Sequence, residues 1–546
     1  MMKNISKIFL TITLICAACG ITPAQTKLPA IHTVKKNISF SLDGNLRQWT
    51  VWSKARPDVL ETSAKRVIFY GDSDSLLFDI KNGGVYNFVI LQNADSAFVR
   101  ICYKPSLAER LKNVTVHNGV RILSREQALA DIDTLTSYFS EIHPDMFGVC
   151  KSHDFFLAVN GVKKTLPDSV SEIDFYRRVA PLITMVGDGH SYIYPPKILS
   201  EDSTRLYFPL NVSVNTNDST IMVLKDCSSN KKLIPEGAKI ISINNINYRD
   251  IIERLLPYPS GERTFFRIKK IDYSFRTFMN LLFGSAEYSL EYEYKGKVFR
   301  RTVPAISYAV KKSETTPKAA VTRADYSFYI LPDNKTAVMD FYRCNDNKRF
   351  VAFADSLFTV LKDKNIENLI IDMRDNGGGS SIMGDELFQY ISPVPFSQFG
   401  GAIVRFSPLT QKLMTKSGDD DVDVEFSFYN DNKLVGLRKN PKRFSGKVYM
   451  LVSHFTFSAA AGISWAFKYF KMGTVVGEES GGMNVSFGEF VPFTLPCSKL
   501  IARASCKKFY QYGAKESDIH GTLPDYKVPA KDALDFTINL IEKGEK

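Results

Sequence analysis

The sequence predicts a multidomain α/β protein, and three observations carry that prediction. The chain has 546 residues, too many for one hydrophobic core, so roughly three to four domains are expected. Hydrophobic residues make up 44% of it, the composition of an ordinary globular protein. From about residue 320 onward, strand-like and helix-like segments alternate, the pattern of a largely parallel sheet with right-handed crossovers.

The N-terminus has the layout of a secretory signal, read as residues 1–24. Lys3 and Lys7 precede an apolar run from Ile8 to Ala18 that is too short to span a bilayer. Cleavage after Ala24 gives a soluble exported protein. Lipidation at Cys19, between Ala18 and Gly20, gives one hung from a bacterial outer membrane, although Cys16 stands where a lipobox usually has Leu. Either way the chain is expected in the periplasm or at the cell surface. No later stretch is long and apolar enough for a transmembrane helix. Cys102, Cys150, Cys227, Cys344, Cys497 and Cys506 are scattered without a Cys-x-x-Cys pair, so isolated thiols are expected rather than a metal site. The formal net charge is +12, but no dense Lys/Arg block is interleaved with aromatics, which speaks for a solvated surface and against nucleic-acid binding.

Residues 25–118 alternate apolar and polar positions, as in Arg66–Tyr70 and Tyr86–Leu91, and predict an N-terminal β domain. Ser124 and Gln127 form a capping-box pattern ahead of Ala128, Ile132, Leu135, Phe139 and Ile142 at helical spacing. Further helices near 153–165 and 171–186 complete a helical subdomain over 119–200, which ends in Gly187-Asp-Gly-His-Ser191. Residues 201–315 return to short strands. Their Pro235-Glu-Gly-Ala-Lys-Ile-Ile-Ser-Ile-Asn244 resembles the central strand of a PDZ domain, a fold that adds peptides to a sheet edge. Residues 316–546 predict strands at 337–342, 369–373, 447–452 and 474–477, and helices near 348–362, 382–391 and 458–470. The polar stretch 415–445 reads as an excursion from the sheet.

The chemistry concentrates in this last domain. Leu369-Ile-Ile-Asp-Met-Arg-Asp-Asn-Gly-Gly-Gly379 is a buried strand running into a glycine loop, and Ser458 lies where the next strand gives way to a helix. A serine there is exposed at the sheet edge, beside N–H groups that have no intrahelical partner and a dipole favouring negative charge. A helix N-cap is the ordinary role of such a serine. The glycine loop tips the balance, because a tetrahedral intermediate needs two donors aimed at its oxyanion and glycines let backbone approach closely. No Lys or Ser/Thr follows at P-loop spacing, which excludes a phosphate cradle of that kind. A serine nucleophile also needs a base. Of His32, His117, His143, His153, His190, His454 and His520, His190 is the leading candidate, flanked by small residues at a domain junction, with His520 and His454 behind.

Those segments, with Thr456-Phe-Ser-Ala-Ala460, Thr474-Val-Val-Gly-Glu478 and Gly521-Thr-Leu-Pro-Asp525, resemble the core of the serine peptidases that include the tail-specific (C-terminal) processing proteases and tricorn. The resemblance implies a ClpP/crotonase-like core and hydrolysis of polypeptides through an acyl-enzyme, with no cofactor or metal. In the tail-specific branch the base is a lysine about 25 residues after the serine. Met483 stands there and cannot accept a proton, so the resemblance points to the tricorn-like, His-dependent branch. In that branch His190 matches the base and Asp518 the orienting carboxylate, with Glu516 as its rival. Tricorn has a serine before its histidine where this chain has Gly189. Ala459 and either Gly377 or Gly378 would form the oxyanion hole. The alternative is a catalytically inactive protein that keeps the fold and a peptide groove.

Overall fold

The computed structural model describes residues 114–228, 233–315, 323–407 and 433–544, the residues 409, 410 and 413, and strand backbone within 34–103 and at 425–429. The predicted signal segment and Cys19 lie outside the described residues. Between 34 and 103 the strand backbone pairs as antiparallel hairpins.

The helical stretch forms as its sequence directs. Ser124 accepts the Gln127 N–H and Gln127 reaches back to the Ser124 N–H, so a full capping box opens the helix Arg125–Ile142. The helices Ser152–Lys164 and Glu172–Thr184 follow. Gly187, at φ +70°, turns the chain out of the last one and into the loop that carries Asp188 and His190. Next comes a six-stranded antiparallel sheet, in the order Leu210–Val214, Ile221–Asp226, Lys239–Ile243, Glu287–Tyr294, Lys297–Pro304, with Ile246–Asn247 paired to Lys239–Ile243. The helix Thr264–Phe283 packs against it.

The C-terminal half is built on a second six-stranded sheet. Thr336–Phe341, Asn368–Asp372, Lys447–Val452, Thr474–Gly477 and Tyr526–Lys527 run parallel, and Tyr326–Ile330 adds an antiparallel edge. The central strands are buried on both faces, which explains their continuous apolar runs. Leu369, Ile371 and Met450 pack with Phe350, Leu357 and Phe388, whereas Ile370, Tyr449 and Leu451 meet Ala533 and Leu540 of the closing helix Ala533–Glu542. Each such fully buried side chain contributes about 1.5–3 kcal/mol.

A third sheet was not expected from the sequence. Val485–Thr494 and Ile501–Gln511 form a long hairpin, and Ile501–Gln511 also pairs with Phe399–Phe406 and with Tyr192–Ile193. Within the stretch read as an excursion from the parallel sheet, Glu425–Tyr429 lies outside that sheet and pairs with Phe399–Phe406 of this third one. One continuous core joins the helices, the antiparallel sheet and this hairpin, running from Leu123 and Phe139 through Phe175 and Phe275 to Val491 and Ala504. That shared core fixes the Asp188–His190 loop against the parallel-sheet half. Among the described residues, no helix is long and apolar enough to cross a membrane.

Candidate active site

Ser458 sits at the end of Lys447–Val452 and its loop, as the N-cap of the helix Ala459–Tyr469. Its backbone is at φ 55°, ψ −128°, outside the left-handed well. A non-glycine residue there costs of order 1–3 kcal/mol and persists only where its surroundings hold it. The surroundings do so. Phe457 N–H donates to Asn376 O at 3.1 Å, Thr456 Oγ donates to Met373 O at 2.9 Å, and Gly481 N–H donates to Thr456 O at 2.9 Å. Ser458 makes no capping bond, so the ordinary N-cap role does not apply.

The glycine loop lies directly against this serine. A Cβ on Gly378 would fall 2.7 Å from Ser458 Cβ and 2.8 Å from Phe457 O, and its φ is +100°. Gly378 N–H is already engaged by Asn376 Oδ1 at 2.9 Å, while Asn376 Nδ2 donates to Phe341 O at 2.8 Å. Gly378 is therefore the residue of close approach, not a free donor. The N–H groups of Gly377 and Ala459 donate to no protein acceptor among the described residues. Gly377 also has open space where Gly378 has none, its nearest neighbour being Phe455 at 3.6 Å.

His190 reaches the same place from the other half. Its ring stacks on Phe457, the residue before the serine, with centroids 4.5 Å apart. Phe266 stacks on Phe457 as well, at 4.3 Å. His190 is 7% exposed, its N–H donates to Asp188 Oδ1 at 2.8 Å, and Arg503 Nε donates to its carbonyl at 2.8 Å. Burial pushes its imidazole down to about 4; Asp188 opposes that shift and Arg503 and Lys270 reinforce it. The ring is thus neutral at physiological pH, the form a base needs. It forms no hydrogen bond with Ser458, and Nδ1 has no partner, with Asp188 Oδ1 at 3.9 Å.

The rival histidines are engaged elsewhere. His454 Nδ1 meets Thr216 Oγ at 2.7 Å, and His520 Nδ1 lies 3.1 Å from Glu479 Oε1. Neither expected orienter is bonded to His190. The Asp518 carboxylate accepts the N–H of Lys515 in its own turn at 2.9 Å, and Glu516 is held by Lys508 and Tyr510. Asp518 is thus satisfied within its own turn, and Glu516 by two side chains of the strand Ile501–Gln511.

Other carboxylates surround the ring. Asp188 is fully buried; its Oδ2 accepts from Ser505 Oγ at 2.6 Å and lies 3.3 Å from His143 Nε2. Burial alone would raise Asp188, yet the contacts with His143, His190 and Ser191 win and hold it well below the usual carboxylate range. Glu262 is the second. Burial, with Asp188 alongside, pushes its carboxyl up to about 7. Lys270 donates to Gly189 O and Ser260 O, each at 2.8 Å, and burial pushes it down to about 8 against the pull of Glu262. Asp188, His190 and Glu262 each bring one ligand atom within 4.8 Å of the other two, but Lys270 and Arg503 flank them, a poor setting for a dication. His143 caps the helix Arg125–Ile142 and also belongs to this network. Nothing in the spacing of residues 143, 188, 262, 270 and 505 could have announced their convergence.

Residues 345–528 match the model of peptidase family S41. No curated protein matches the chain. Among solved structures, mature CPAF is 12% identical, with 77% of this chain and 97% of that one covered and a TM-score of 0.55. Mature CPAF complexed with lactacystin aligns over the same shares, 77% and 97%, at 12% identity and a TM-score of 0.54. The photosystem II D1 C-terminal processing protease is 14% identical over 74% of this chain and 93% of its own, with a TM-score of 0.38. At such identity the CPAF likeness speaks for the fold.

Proposed function

We propose that this chain, whose residues 345–528 match the model of peptidase family S41, is a serine peptidase with Ser458 as its nucleophile and His190 as its general base. The reading rests above all on one observation: Ser458 is held at a strained φ of 55° beside the unpaired N–H groups of Ala459 and Gly377. Strain of this kind is maintained where geometry matters to function.

The substrate is a polypeptide. In the proposed cycle His190 Nε2 takes the Ser458 proton as Oγ attacks the scissile carbonyl, and the oxyanion is bound by the N–H groups of Ala459 and Gly377. His190 then protonates the leaving amine, and water, deprotonated by the same ring, releases the acyl group. For this the ring must turn from its stacked position on Phe457 towards Ser458, so the domain junction acts as a closing element. Unstructured segments or peptides are the preferred substrates, because attack needs an extended chain laid along the site. The 201–315 sheet, with its PDZ-like strand, is the proposed recruiting surface. Export follows from the N-terminal signal pattern, with lipidation at Cys19 as the alternative.

Hydrolysis of unfolded, fluorophore-labelled casein by wild type and by Ser458→Ala tests this directly. Cleavage by wild type alone is expected. Equal cleavage by both, or none by a folded wild type, contradicts it. Lactacystin, which one CPAF structure contains, is a second probe of the same serine.

A further inference from the structure

Three buried polar atoms beside the proposed base have no hydrogen-bond partner: His190 Nδ1 and both carboxylate oxygens of Glu262. Unpaired buried polar groups are destabilising, so their clustering at one spot calls for a function. Asp188 is not free to answer it. Its Oδ1 accepts the His190 backbone N–H, and its Oδ2 serves Ser505 and His143. Those bonds hold the loop rather than the ring.

Glu262 precedes the helix Thr264–Phe283 and brings a carboxylate oxygen within 4.8 Å of a ring nitrogen of His190. The bare backbone of Gly189 lets it come close: a Cβ there would lie 2.8 Å from Glu262 Oε2 and 2.8 Å from Phe457 Cζ. A side chain at position 189 has no room here, because Glu262 and Phe457 occupy its space. Asp188, with Oδ1 3.9 Å from Nδ1, favours a charged His190 ring, and two cations, Arg503 and Lys270, disfavour it. An imidazolium formed during acylation gains from a second anion whose oxygens are not already spent.

We propose that Glu262 is the positioning carboxylate of His190, accepting its Nδ1–H in the closed site and balancing the imidazolium. The inference rests on the Ser458–His190 reading. The Ser458 hydroxyl proton moves to His190 Nε2, Nδ1–H stays donated to Glu262, and Glu262 remains ionised throughout. The Nε2 proton then leaves with the amine. Asp188 keeps the loop in place, and neither Asp518 nor Glu516 takes part.

The test is the rate of fluorophosphonate labelling across pH for wild type, Glu262→Gln and Asp518→Asn, with Tm measured alongside. Glu262→Gln should slow labelling about 100-fold or more, while Tm holds or rises because an unpaired buried charge is removed. The groups facing the ring are Asp188 with its partner His143, Glu262, Lys270 and Arg503. Of these, Glu262, at about 7, sets the expected acid limb of the wild type. In Glu262→Gln that limb should move down towards the His190 value of about 4. A merely structural role would not move it. Labelling of Glu262→Gln within about threefold of wild type, with the limb unmoved, overturns the proposal and leaves the serine reading intact. A wild type that takes no label at Ser458 overturns both.

Discussion

The serine half and the histidine half of this site differ in how they are assembled. Ser458 and Asn376–Gly379 follow neighbouring parallel strands, Lys447–Val452 and Asn368–Asp372, and hydrogen bonds lock their loops together. The Gly377 and Ala459 N–H groups have no acceptor among the described residues, the Ser458 hydroxyl makes no capping bond and the strain is already present. The histidine half is gathered from residues 143, 188, 190, 262, 270 and 503, on elements far apart in sequence, and its ring still lacks a hydrogen bond at Nδ1. On the proposed roles, the nucleophile's surroundings are already in place while the base waits on domain packing.

Predictions that probe the difference range from large effects to small. Ser458→Ala should lower kcat on the order of 10⁶-fold, read from peptide hydrolysis, with the fold intact by circular dichroism. His190→Ala should come close to that loss, since nucleophile and base act as a unit, and adding Ser458→Ala to it should cost almost nothing more. An additive double mutant would separate the two halves and break the comparison. Gly378→Ala must push a methyl into Ser458 Cβ at a φ of +100° and should cost about 1–3 kcal/mol of stability together with most of the activity. Gly377→Ala, with its nearest neighbour at 3.6 Å, should be far milder, as chemical denaturation of the pair would reveal.

Protonation offers a stability test confined to the histidine half. His190 is held down to about 4 in the fold against a usual 6.5, so its contribution is intact above 6.5 and is lost as pH falls towards 4. The loss is about 3 kcal/mol, visible as a steeper acid destabilisation of wild type than of His190→Ala. The smallest effect is expected at Asp518. Its carboxylate caps an exposed turn through Lys515, so Asp518→Asn should change activity by less than about twofold.

How much the sequence disclosed follows the same division. The parallel strands, the helix Ile382–Ile391 and Ser458 were legible because each is a local pattern: an apolar run, a helical period, a turn of permissive residues. His190 was legible through its small neighbours and a family resemblance. Glu262 carried no local signal at all, lying in Gly261-Glu-Arg263 before an ordinary helix. Its role comes from burial against Gly189 and Phe457, contacts that only the tertiary fold creates. The hairpin Val485–Gln511 was readable in principle, since Val485, Phe487, Val491 and Phe493 turn inward while Ser486, Glu489, Pro492 and Thr494 do not. Asp518 shows what a motif leaves open: it fixes a residue's position along the chain, whereas the Lys515–Asp518 turn decides where the carboxylate points.

The central claim is that Ser458 is a nucleophile prepared by its loop and served by His190. Peptide mapping by mass spectrometry after fluorophosphonate treatment tests it most directly. The account predicts a single adduct on the peptide containing Ser458, absent in Ser458→Ala and strongly reduced in His190→Ala. An adduct on another serine, or full labelling of Ser458 in His190→Ala, would contradict it.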